Sequence, residues 1–394
     1  MQKKLVFVMK VMSGGGAERV ISLLTSAAVN RGSDVTLLIT HQKKQDSVLR
    51  DIDSGVRVIS LPDETSKQKT SAFLPKFIML WARLLGKLGL KEKSSVLKYY
   101  SRNFSSVSWL KKYFRKHKNS AAVAFLYDSI FLTLLAKNKT TKVIISERGD
   151  PEQSSGSKTV AAFMKKEFPK ADGVVFQSPD AQKWYLENTS ARGTVIFNPV
   201  KPDLPEPYCG ERKKRIVNFC RISAQKNLLM LADAFALFHK DFPDYELDII
   251  GDAVGNGIEG YVDAVNEKIR NNGCEDCIRI LPSRRDIHEY IKDYAMFVSS
   301  SDFEGMSNSM LEAMALGLPV ICTDCPAGGA RAVIRNGENG ILTPVGDANA
   351  LYLAMKNLAE NPDFAESLGK NAVKIRTEQS VEKIIEKWMD IIYD

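Results

Sequence analysis

The chain has 394 residues, too many for one ordinary hydrophobic core, and this length predicts two domains of about 150 to 200 residues each. Its composition, 44% hydrophobic and 26% charged residues, is that of a globular protein and excludes a largely disordered chain. The net charge of +8 is local, because residues 67–118 contain fourteen Lys or Arg against one acid, Glu92, while the rest of the chain has 41 basic and 46 acidic residues.

The N-terminal end predicts a strand, a glycine-rich loop, a helix and a second strand. The strands are expected at residues 4–9 and 35–40, and the helix at residues 20–30. The loop contains Gly14, Gly15 and Gly16, which let a ligand approach the backbone closely. A dinucleotide-binding fingerprint requires glycine at the position of Arg19, so an NAD site is not indicated, and a glycine-rich turn without a ligand stays open as an alternative.

Two aromatic pieces lie in the basic segment 67–118. The first predicts a helix with one apolar stripe, formed by Phe77, Leu80, Trp81, Leu84, Leu85 and Leu88. The second sets Trp109, Leu110, Tyr113 and Phe114 among lysines and arginines. Both pieces could be ordinary helices that cover a sheet, but the near absence of acids favours an interfacial helix attracted to an anionic membrane. Aromatics on a contiguous stripe suit a bilayer better than base stacking, so no nucleic acid partner is expected.

Membrane-spanning and secreted proteins are not indicated. The apolar run from Leu5 to Met9 is too short for a signal peptide, and no window approaches the ~20 apolar residues of a membrane-spanning helix. We therefore expect a cytoplasmic protein that is peripheral on the inner face of the cell membrane.

The first half continues as an α/β pattern. Strands are expected at residues 122–126, 142–146, 173–177 and 194–197, with a helix near 181–187. The strand at 142–146 runs into Glu147 and Arg148. Ligands bind at the carboxyl ends of parallel strands, so this charged pair is a candidate site. The proline-rich residues 200–211 predict a linker.

After the linker the alternation of strands and helices restarts. Strands are expected at residues 216–220, 247–250, 278–281, 295–298 and 319–322, and helices at 228–239, 310–316 and 347–360. Gly328-Gly329-Ala330 predicts the start of another helix. The last apolar pattern, from Ile384 to Ile392, predicts a terminal helix that packs on the first domain. The expected organisation is a first domain over 1–199, a second over 212–376 and the terminal helix over 377–394.

Residues 302–320 predict a strand, helix, strand unit with two acids near a helix start. Glu304 lies in the loop and Glu312 on the helix, and the free amides of a helix N-terminus suit an anion. Ser309 and Glu312 also fit the capping-box pattern, in which Glu312 would only close its own helix. If Ser307 is the N-cap, Glu312 lies further along the helix and can bind a ligand. The spacing alone leaves both alternatives open. The two cations Arg221 and Lys226, in the first loop of the same domain, favour the second.

Metal sites are not expected. The two Cys-x-x-Cys pairs, Cys274/Cys277 and Cys322/Cys325, could build a zinc site, but they lie in or beside apolar strand patterns and are better interpreted as reduced, packed thiols. Asp51-Ile52-Asp53 is interpreted as a solvated turn.

Several motifs together resemble the retaining glycosyltransferases of family 4, which have the GT-B fold of two Rossmann-like domains facing across a cleft. They are Gly14 to Val20, Arg221-x4-Lys226-Asn227, Glu304-x7-Glu312, Glu312 to Val320 and Asn336-Gly337-Glu338-Asn339-Gly340. The resemblance runs over nearly the full length, strongly in the second half and loosely between Pro62 and Asn138.

The resemblance implies a nucleotide-sugar site. Arg221 and Lys226 would hold the diphosphate with the amides of Asn308, Ser309 and Met310. Glu312 would accept hydrogen bonds from both ribose hydroxyls, and Glu304 from a hydroxyl of the donor sugar. The peptide at Ser283 and Arg284 would meet the base, and Gly15 and Gly16 would lie near the donor phosphate and the acceptor. Glu18, Glu147 and Arg148 are further candidate contacts to sugar or acceptor, and no cofactor is expected.

One departure from the family pattern concerns Arg148. Several family members carry a sugar-contacting histidine after the strand that matches 142–146, where this chain has Glu147-Arg148. This version resembles enzymes that extend lipid-linked surface oligosaccharides, often with galactose or N-acetylgalactosamine. The expected activity is therefore transfer of a hexose or N-acetylhexosamine from a UDP-sugar to a polyprenyl-diphosphate-linked oligosaccharide with retention. A UDP-sugar epimerase or hydrolase of this fold, and a non-catalytic lipid- or polyanion-binding protein, are the alternatives.

Overall fold

The structure is a computed structural model that describes residues 4–12, 15–42, 51–61, 73–156, 158–253 and 258–394. The chain divides into two compact units, one formed by Met1–Pro199 with Val381–Asp394 and the other by Val200–Ser380. The sequence predicts that the first domain ends at residue 199 and the second at residue 376, whereas the two units end at Pro199 and Ser380. The first residues of the basic segment, 67–72, and Gly14 of the glycine-rich loop lie outside the described residues.

The first unit is built on a parallel sheet with the strand order β3-β2-β1-β4-β5-β6-β7. Neighbouring strands pair in parallel throughout, for example Phe7 with Leu37 on one side and with Val123 on the other. The strands are β1 (Leu5–Met9), β2 (Val35–Ile39), β3 (Arg57–Ser60), β4 (Ala121–Phe125), β5 (Lys142–Ser146), β6 (Gly173–Phe176) and β7 (Thr194–Val195). The central strands are apolar on both faces because helices cover both.

The helices of the first unit that come before the linker lie between these strands. In the described residues before the linker they are α1 (Gly16–Asn30), α2 (Phe73–Lys87), α3 (Lys91–Arg102), α4 (Phe104–Lys116), α5 (Tyr127–Ala136), α6 (Pro151–Ser154), α7 (Lys158–Glu167) and α8 (Pro179–Thr189). Helices α6 and α8 both begin with proline, which suits a helix start. The N–H group that proline lacks would have no hydrogen-bond partner within the helix at this position.

The second unit has its own parallel sheet, with the strand order β10-β9-β8-β11-β12-β13. Its strands are β8 (Lys213–Phe219), β9 (Glu246–Ile250), β10 (Ile278–Leu281), β11 (Tyr294–Ser299), β12 (Val320–Thr323) and β13 (Ile341–Thr343). Its helices, among the described residues, are α9 (Leu228–Asp241), α10 (Ile258–Asn271), α11 (Ile287–Ile291), α12 (Asn308–Ala315), α13 (Ala348–Glu360), α14 (Pro362–Ala372) and α15 (Ile375–Glu378). The strand order reverses between β8 and β11, and open α/β sheets bind ligands beyond the carboxyl ends of the strands at such a reversal.

The terminal helix, α16 (Val381–Tyr393), packs in the first unit. Its Trp388 lies against Phe125 of β4 with ring centroids 5.4 Å apart, and both side chains are fully buried. At the surface, Arg31 pairs with Glu386 at 3.0 Å. The predicted return of this helix to the first sheet is confirmed.

The two aromatic pieces of the basic segment have different environments. On α4, Leu110 and Phe114 are completely buried in the core that covers the first sheet, so this piece is an ordinary covering helix and the interfacial interpretation is wrong for it. On α2 only Ala82 is fully buried, and its apolar stripe is exposed, with Leu80 63% accessible. No helix in the described part of the chain is long and apolar enough to span a bilayer.

The predicted helix at Gly328-Gly329-Ala330 is wrong, because residues 326–333 form consecutive turns. Gly328 has a φ of +72°, which a helix does not accommodate. The backbone of Gly329 presses against Gly305 so closely that a Cβ atom at position 329 would overlap the carbonyl oxygen of Gly305. These glycines serve close backbone packing beside the loop that precedes α12.

Candidate functional site

Two loops at the reversal of the second sheet are fastened to each other. One is residues 220–227, after β8, and the other is residues 300–307, after β11. The amide of Asp302 donates to the carbonyl of Gln225 at 2.9 Å, and the side chain of Gln225 donates back to the carbonyl of Phe303 at 2.8 Å. Asn227 donates to the carboxylate of Asp302 at 2.7 Å and caps α9 through its side-chain oxygen. The two loops are therefore fixed relative to each other before any ligand binds.

Lys226 and Glu304 form an ion pair across these loops. Their side chains are only 13% and 19% accessible. Burial lowers the pKa of Lys226, but the charge of Glu304 and its hydrogen bond raise it, and the net pKa lies above the ordinary value of 10.5. The ammonium group is therefore charged at neutral pH. The Glu304 carboxylate is also 3.4 Å from the hydroxyl of Ser301.

Arg221 lies in the same loop with its side chain exposed. Its positive charge lowers the pKa of Lys226, against the larger raising effect of Glu304. The preceding residue, Cys220, is half-buried, and burial raises the pKa of its thiol to about 12. The loop thus presents two positive charges and no competing thiolate.

Helix α12 begins at the capping residue that favours a ligand role for Glu312. Ser307 is the N-cap, and its hydroxyl accepts from the amide of Met310 at 3.3 Å. This confirms Ser307 and not Ser309 as the cap. The predicted anion contact of Met310 therefore shares its amide with the cap, while Asn308 and Ser309 occupy the first two helical positions.

Glu312, on the second turn of α12, is 3% accessible and lies 2.9 Å from the Nε2 atom of His288. No sequence motif indicates His288, which lies on the short helix α11 after β10. Its only signal was position: His288 follows a loop at the carboxyl end of β10 by a few residues, at the same edge of the sheet as Glu312.

The expected base-binding peptide follows β10. The amide of Ser283 donates to Asp252 at 3.0 Å, and the hydroxyl of Ser283 donates to the same carboxylate, which lowers the pKa of Asp252. Arg284 forms two hydrogen bonds of 2.7 Å with Asp286 and lies over the ring of Tyr290 at 3.7 Å. The peptide is held in a turn, and the Arg284 guanidinium is occupied by its neighbours.

In the first unit, the glycine-rich loop ends at Gly15, the N-cap of α1, and Gly16 is the first helical residue. The buried carboxylate of Glu18 folds back so that its Oε2 atom lies 2.6 Å from where a Cβ atom of Gly15 would be. A side chain at position 15 would require the Glu18 carboxylate to shift, so Gly15 and Glu18 pack against each other.

Glu147 and Arg148 are both buried beyond the end of β5. Burial raises the pKa of Glu147 to about 7, against the opposing hydrogen bonds from the amides of Arg148 and Gly149. The guanidinium of Arg148 donates to Ser146 at 3.0 Å and to Asn198, and it lies 5.0 Å from the ring centroid of Phe125. Burial lowers the pKa of Arg148 to about 9, which still leaves it charged at neutral pH. Arg148 therefore braces the first unit internally.

The four thiols of the two Cys-x-x-Cys pairs are buried and unbridged. Within the described residues, no group of three or more His, Cys, Asp or Glu is arranged to hold a metal ion.

The second unit matches a protein family. Residues 213–361 match the family described as "Glycosyl transferases group 1". The putative glycosyltransferase EpsD of Bacillus subtilis is 31% identical over 170 residues, which cover 43% of this chain and 42% of that protein. A Campylobacter jejuni enzyme, N-acetylgalactosamine-N,N'-diacetylbacillosaminyl-diphospho-undecaprenol 4-alpha-N-acetylgalactosaminyltransferase, is 23% identical over 72% of this chain and 78% of its own length. The chain spans less than half the length of several proteins that it matches. It covers 42% of EpsD, and 26% and 49% of two further relatives.

Solved structures share the fold over the whole chain. The crystal structure of Anabaena Alr3699/HepE in complex with UDP and glucose superposes with a TM-score of 0.78, covering 100% of both chains at 18% identity. At this identity the likeness shows the fold alone. The predicted GT-B fold, with two parallel-sheet Rossmann-like domains, is confirmed.

Proposed function

We propose that this chain, whose residues 213–361 match the group 1 glycosyltransferases, is a retaining transferase. It moves a hexose or N-acetylhexosamine, with galactose-type sugars favoured, from a UDP-sugar to a polyprenyl-diphosphate-linked oligosaccharide in cell-surface glycan synthesis. The observation that carries the proposal is the pair of fastened loops at the sheet reversal, which set Arg221, Lys226 and Glu304 beside the N-terminus of α12.

The charges suit a diphosphate leaving group. Departure of UDP from the sugar leaves negative charge on the diphosphate, and two cations with helix-start amides stabilise it. Because hydrogen bonds already hold the two loops, little reorganisation is needed when that charge develops. Catalysis in this proposal comes from leaving-group stabilisation.

The proposed reaction uses no protein nucleophile. The bond between the anomeric carbon and the UDP oxygen breaks, the acceptor hydroxyl attacks from the same face, and a donor phosphate oxygen takes the acceptor's proton. Glu304 would accept a hydrogen bond from a donor-sugar hydroxyl and would share its carboxylate with Lys226. Glu312 would accept hydrogen bonds from the ribose hydroxyls. No metal is required, because Arg221 and Lys226 supply the positive charge.

The acceptor is proposed to be lipid-linked because α2 is suited to a membrane surface. Phe73, Phe77, Leu80, Trp81 and Leu84 on this helix are each 46% or more accessible. Lys76, Arg83 and Lys87 on the same helix are exposed and form no ion pair among the described residues. An apolar stripe flanked by unpaired cations binds anionic bilayers through both burial and charge. The Campylobacter relative is named for a diphospho-undecaprenol-linked acceptor, which supports the same class of substrate.

UDP release from a panel of UDP-sugars, with an extract of lipid-linked oligosaccharide as acceptor, tests the transfer. We expect release that depends on the acceptor and falls at least about 100-fold in each of Lys226→Ala, Glu304→Ala and Glu312→Ala, as for the loss of one transition-state contact. Acceptor-independent conversion of the donor would indicate an epimerase or hydrolase. Undiminished turnover in the three variants would refute the site.

Sedimentation with anionic phosphatidylglycerol vesicles tests the membrane surface. Leu80→Asp should reduce binding at least about tenfold, because it places a charge in the apolar stripe. Leu186→Asp on α8 is the matched control, since Leu186 is an exposed leucine of the same unit at 47% accessibility. Equal binding by wild type and Leu80→Asp would contradict the membrane role of α2.

A further inference from the structure

His288 and Glu312 form a buried pair on two different elements of the second unit. His288 is 8% accessible on α11, and Glu312 is 3% accessible on α12. An ionised carboxylate can only accept hydrogen bonds, so the imidazole donates through Nε2 over the observed 2.9 Å. The pair fixes the distance between the loop that follows β10 and the helix that follows β11.

The surroundings hold the imidazole in one orientation. The ring of His288 stands perpendicular to the ring of Phe219, with centroids 6.3 Å apart. The histidine also borders a cavity of about 410 Å³, which Lys201, Leu204, Arg285 and Glu289 help to line. A cavity of this size suits part of a small-molecule ligand. His288 thus contacts the carboxylate proposed to bind the ribose and also borders a cavity.

A glutamate side chain has three rotatable bonds and loses freedom when it binds a ligand. A carboxylate that already accepts a hydrogen bond from a fixed donor has lost that freedom. Its other lone pairs can therefore accept hydrogen bonds from a ligand without further loss of side-chain freedom. Removing the donor has a second effect, because a buried carboxylate that loses a hydrogen bond turns more readily toward water or takes up a proton more readily.

We infer that His288 is a positioning residue for Glu312 and thereby determines the enzyme's selectivity for ribose over deoxyribose in the donor nucleotide. The inference rests on the proposed function, because it requires that Glu312 meet the ribose of UDP. The imidazole holds the carboxylate, and the carboxylate contacts the 2′-hydroxyl and 3′-hydroxyl. His288 itself touches neither hydroxyl.

Calorimetric titration of the full chain with UDP and with 2′-deoxy-UDP tests the inference. Wild type should bind UDP at least about tenfold more tightly than 2′-deoxy-UDP, which corresponds to one charge-assisted hydrogen bond. His288→Leu should bind both nucleotides with nearly the affinity that wild type has for 2′-deoxy-UDP. His288→Gln keeps an N–H donor at the reach of Nε2 and should restore most of the preference. Glu312→Gln should lose it.

Two further variants guard against a general effect on folding. His288→Asn has a shorter amide that does not reach Glu312, so it should behave as His288→Leu does and decides the outcome if the leucine variant is unfolded. His239→Leu is the matched control, because His239 of α9 also makes one hydrogen bond, to the carbonyl of Tyr245 at 3.1 Å. It should keep the full preference for UDP.

The outcomes separate the inference from the proposed function. If His288→Leu or His288→Asn keeps the wild-type preference, or if Glu312→Gln keeps it, the inference is overturned while UDP binding stands. If His288→Gln fails to restore the preference, the role of the hydrogen bond is overturned. If wild type binds neither nucleotide, the proposed function itself fails.

Discussion

Removing Lys226 should destabilise the second unit, and removing its partner as well should restore stability. Lys226→Met replaces the ammonium by an apolar group of similar length and leaves the carboxylate of Glu304 without its ion-pair partner. Because Glu304 is 19% accessible, water replaces the lost interaction only in part. The double variant Lys226→Met/Glu304→Gln contains neither charge.

The size of the effect follows from burial. Breaking a fully buried ion pair by removing one partner costs about 3–5 kcal/mol, and partial access of water reduces this to about 2 kcal/mol. For a unit of this size, about 2 kcal/mol corresponds to a lowering of Tm by about 4–8 °C. The double variant should recover most of that difference.

Thermal unfolding of the full chain, followed by circular dichroism without ligand, measures these shifts. Lys214→Met is the matched control: Lys214 pairs with Asp244 in the same unit, but the two side chains are 60% and 50% accessible. Exposed pairs contribute little, so Lys214→Met should leave Tm unchanged. If Lys226→Met lowers Tm no more than Lys214→Met, or if the double variant is as unstable as the single one, the preformed pair does not have the assigned role.

Two further predictions concern other parts of the chain. Gly329→Ala should destabilise the second unit by at least about 2 kcal/mol, because its Cβ atom would overlap Gly305. Gly260→Ala on α10 is the control and should not destabilise the chain, because the space around Gly260 is open. Equal melting temperatures of the two variants would contradict this prediction. Stability of the first unit should fall by about 3 kcal/mol as pH rises from about 4.5 to 7, because folded Glu147, with its pKa raised to about 7, keeps a proton that the unfolded chain releases. Glu147→Gln should flatten this dependence in urea titrations, and an unchanged slope would refute it.

The predictable parts of the fold are those with strong local patterns. Buried strands such as β1 and β11 are continuous apolar runs flanked by polar residues, so the sequence predicts them within a residue or two. The cap at Ser307 could be inferred because two cations in the neighbouring loop favoured a ligand role for Glu312. Parallel strands then bring the ends of β8 and β11 together, which places Lys226 beside Glu304.

The parts that could not be predicted depend on contacts distant in the chain. His288 and Glu312 are 24 residues apart on two helices, and no periodicity relates them. The apolar residues of α2 and α4 look alike in the sequence, yet Phe114 is buried against the sheet and Leu80 is exposed. The turns at Gly328 and Gly329 arise from close packing on Gly305, which local helix signals do not reveal.

The central claim, that the second unit binds a UDP-sugar through its diphosphate without metal, is tested most directly by thermal unfolding with a nucleotide-sugar panel in EDTA. We predict that UDP-sugars at 100 times their Kd stabilise the chain by about 2.7 kcal/mol, that UDP-galactose or UDP-N-acetylgalactosamine gives the largest rise in Tm, and that Lys226→Met abolishes the rise. A rise that requires added metal, an equal rise in Lys226→Met, or no rise with any UDP-sugar would contradict the claim.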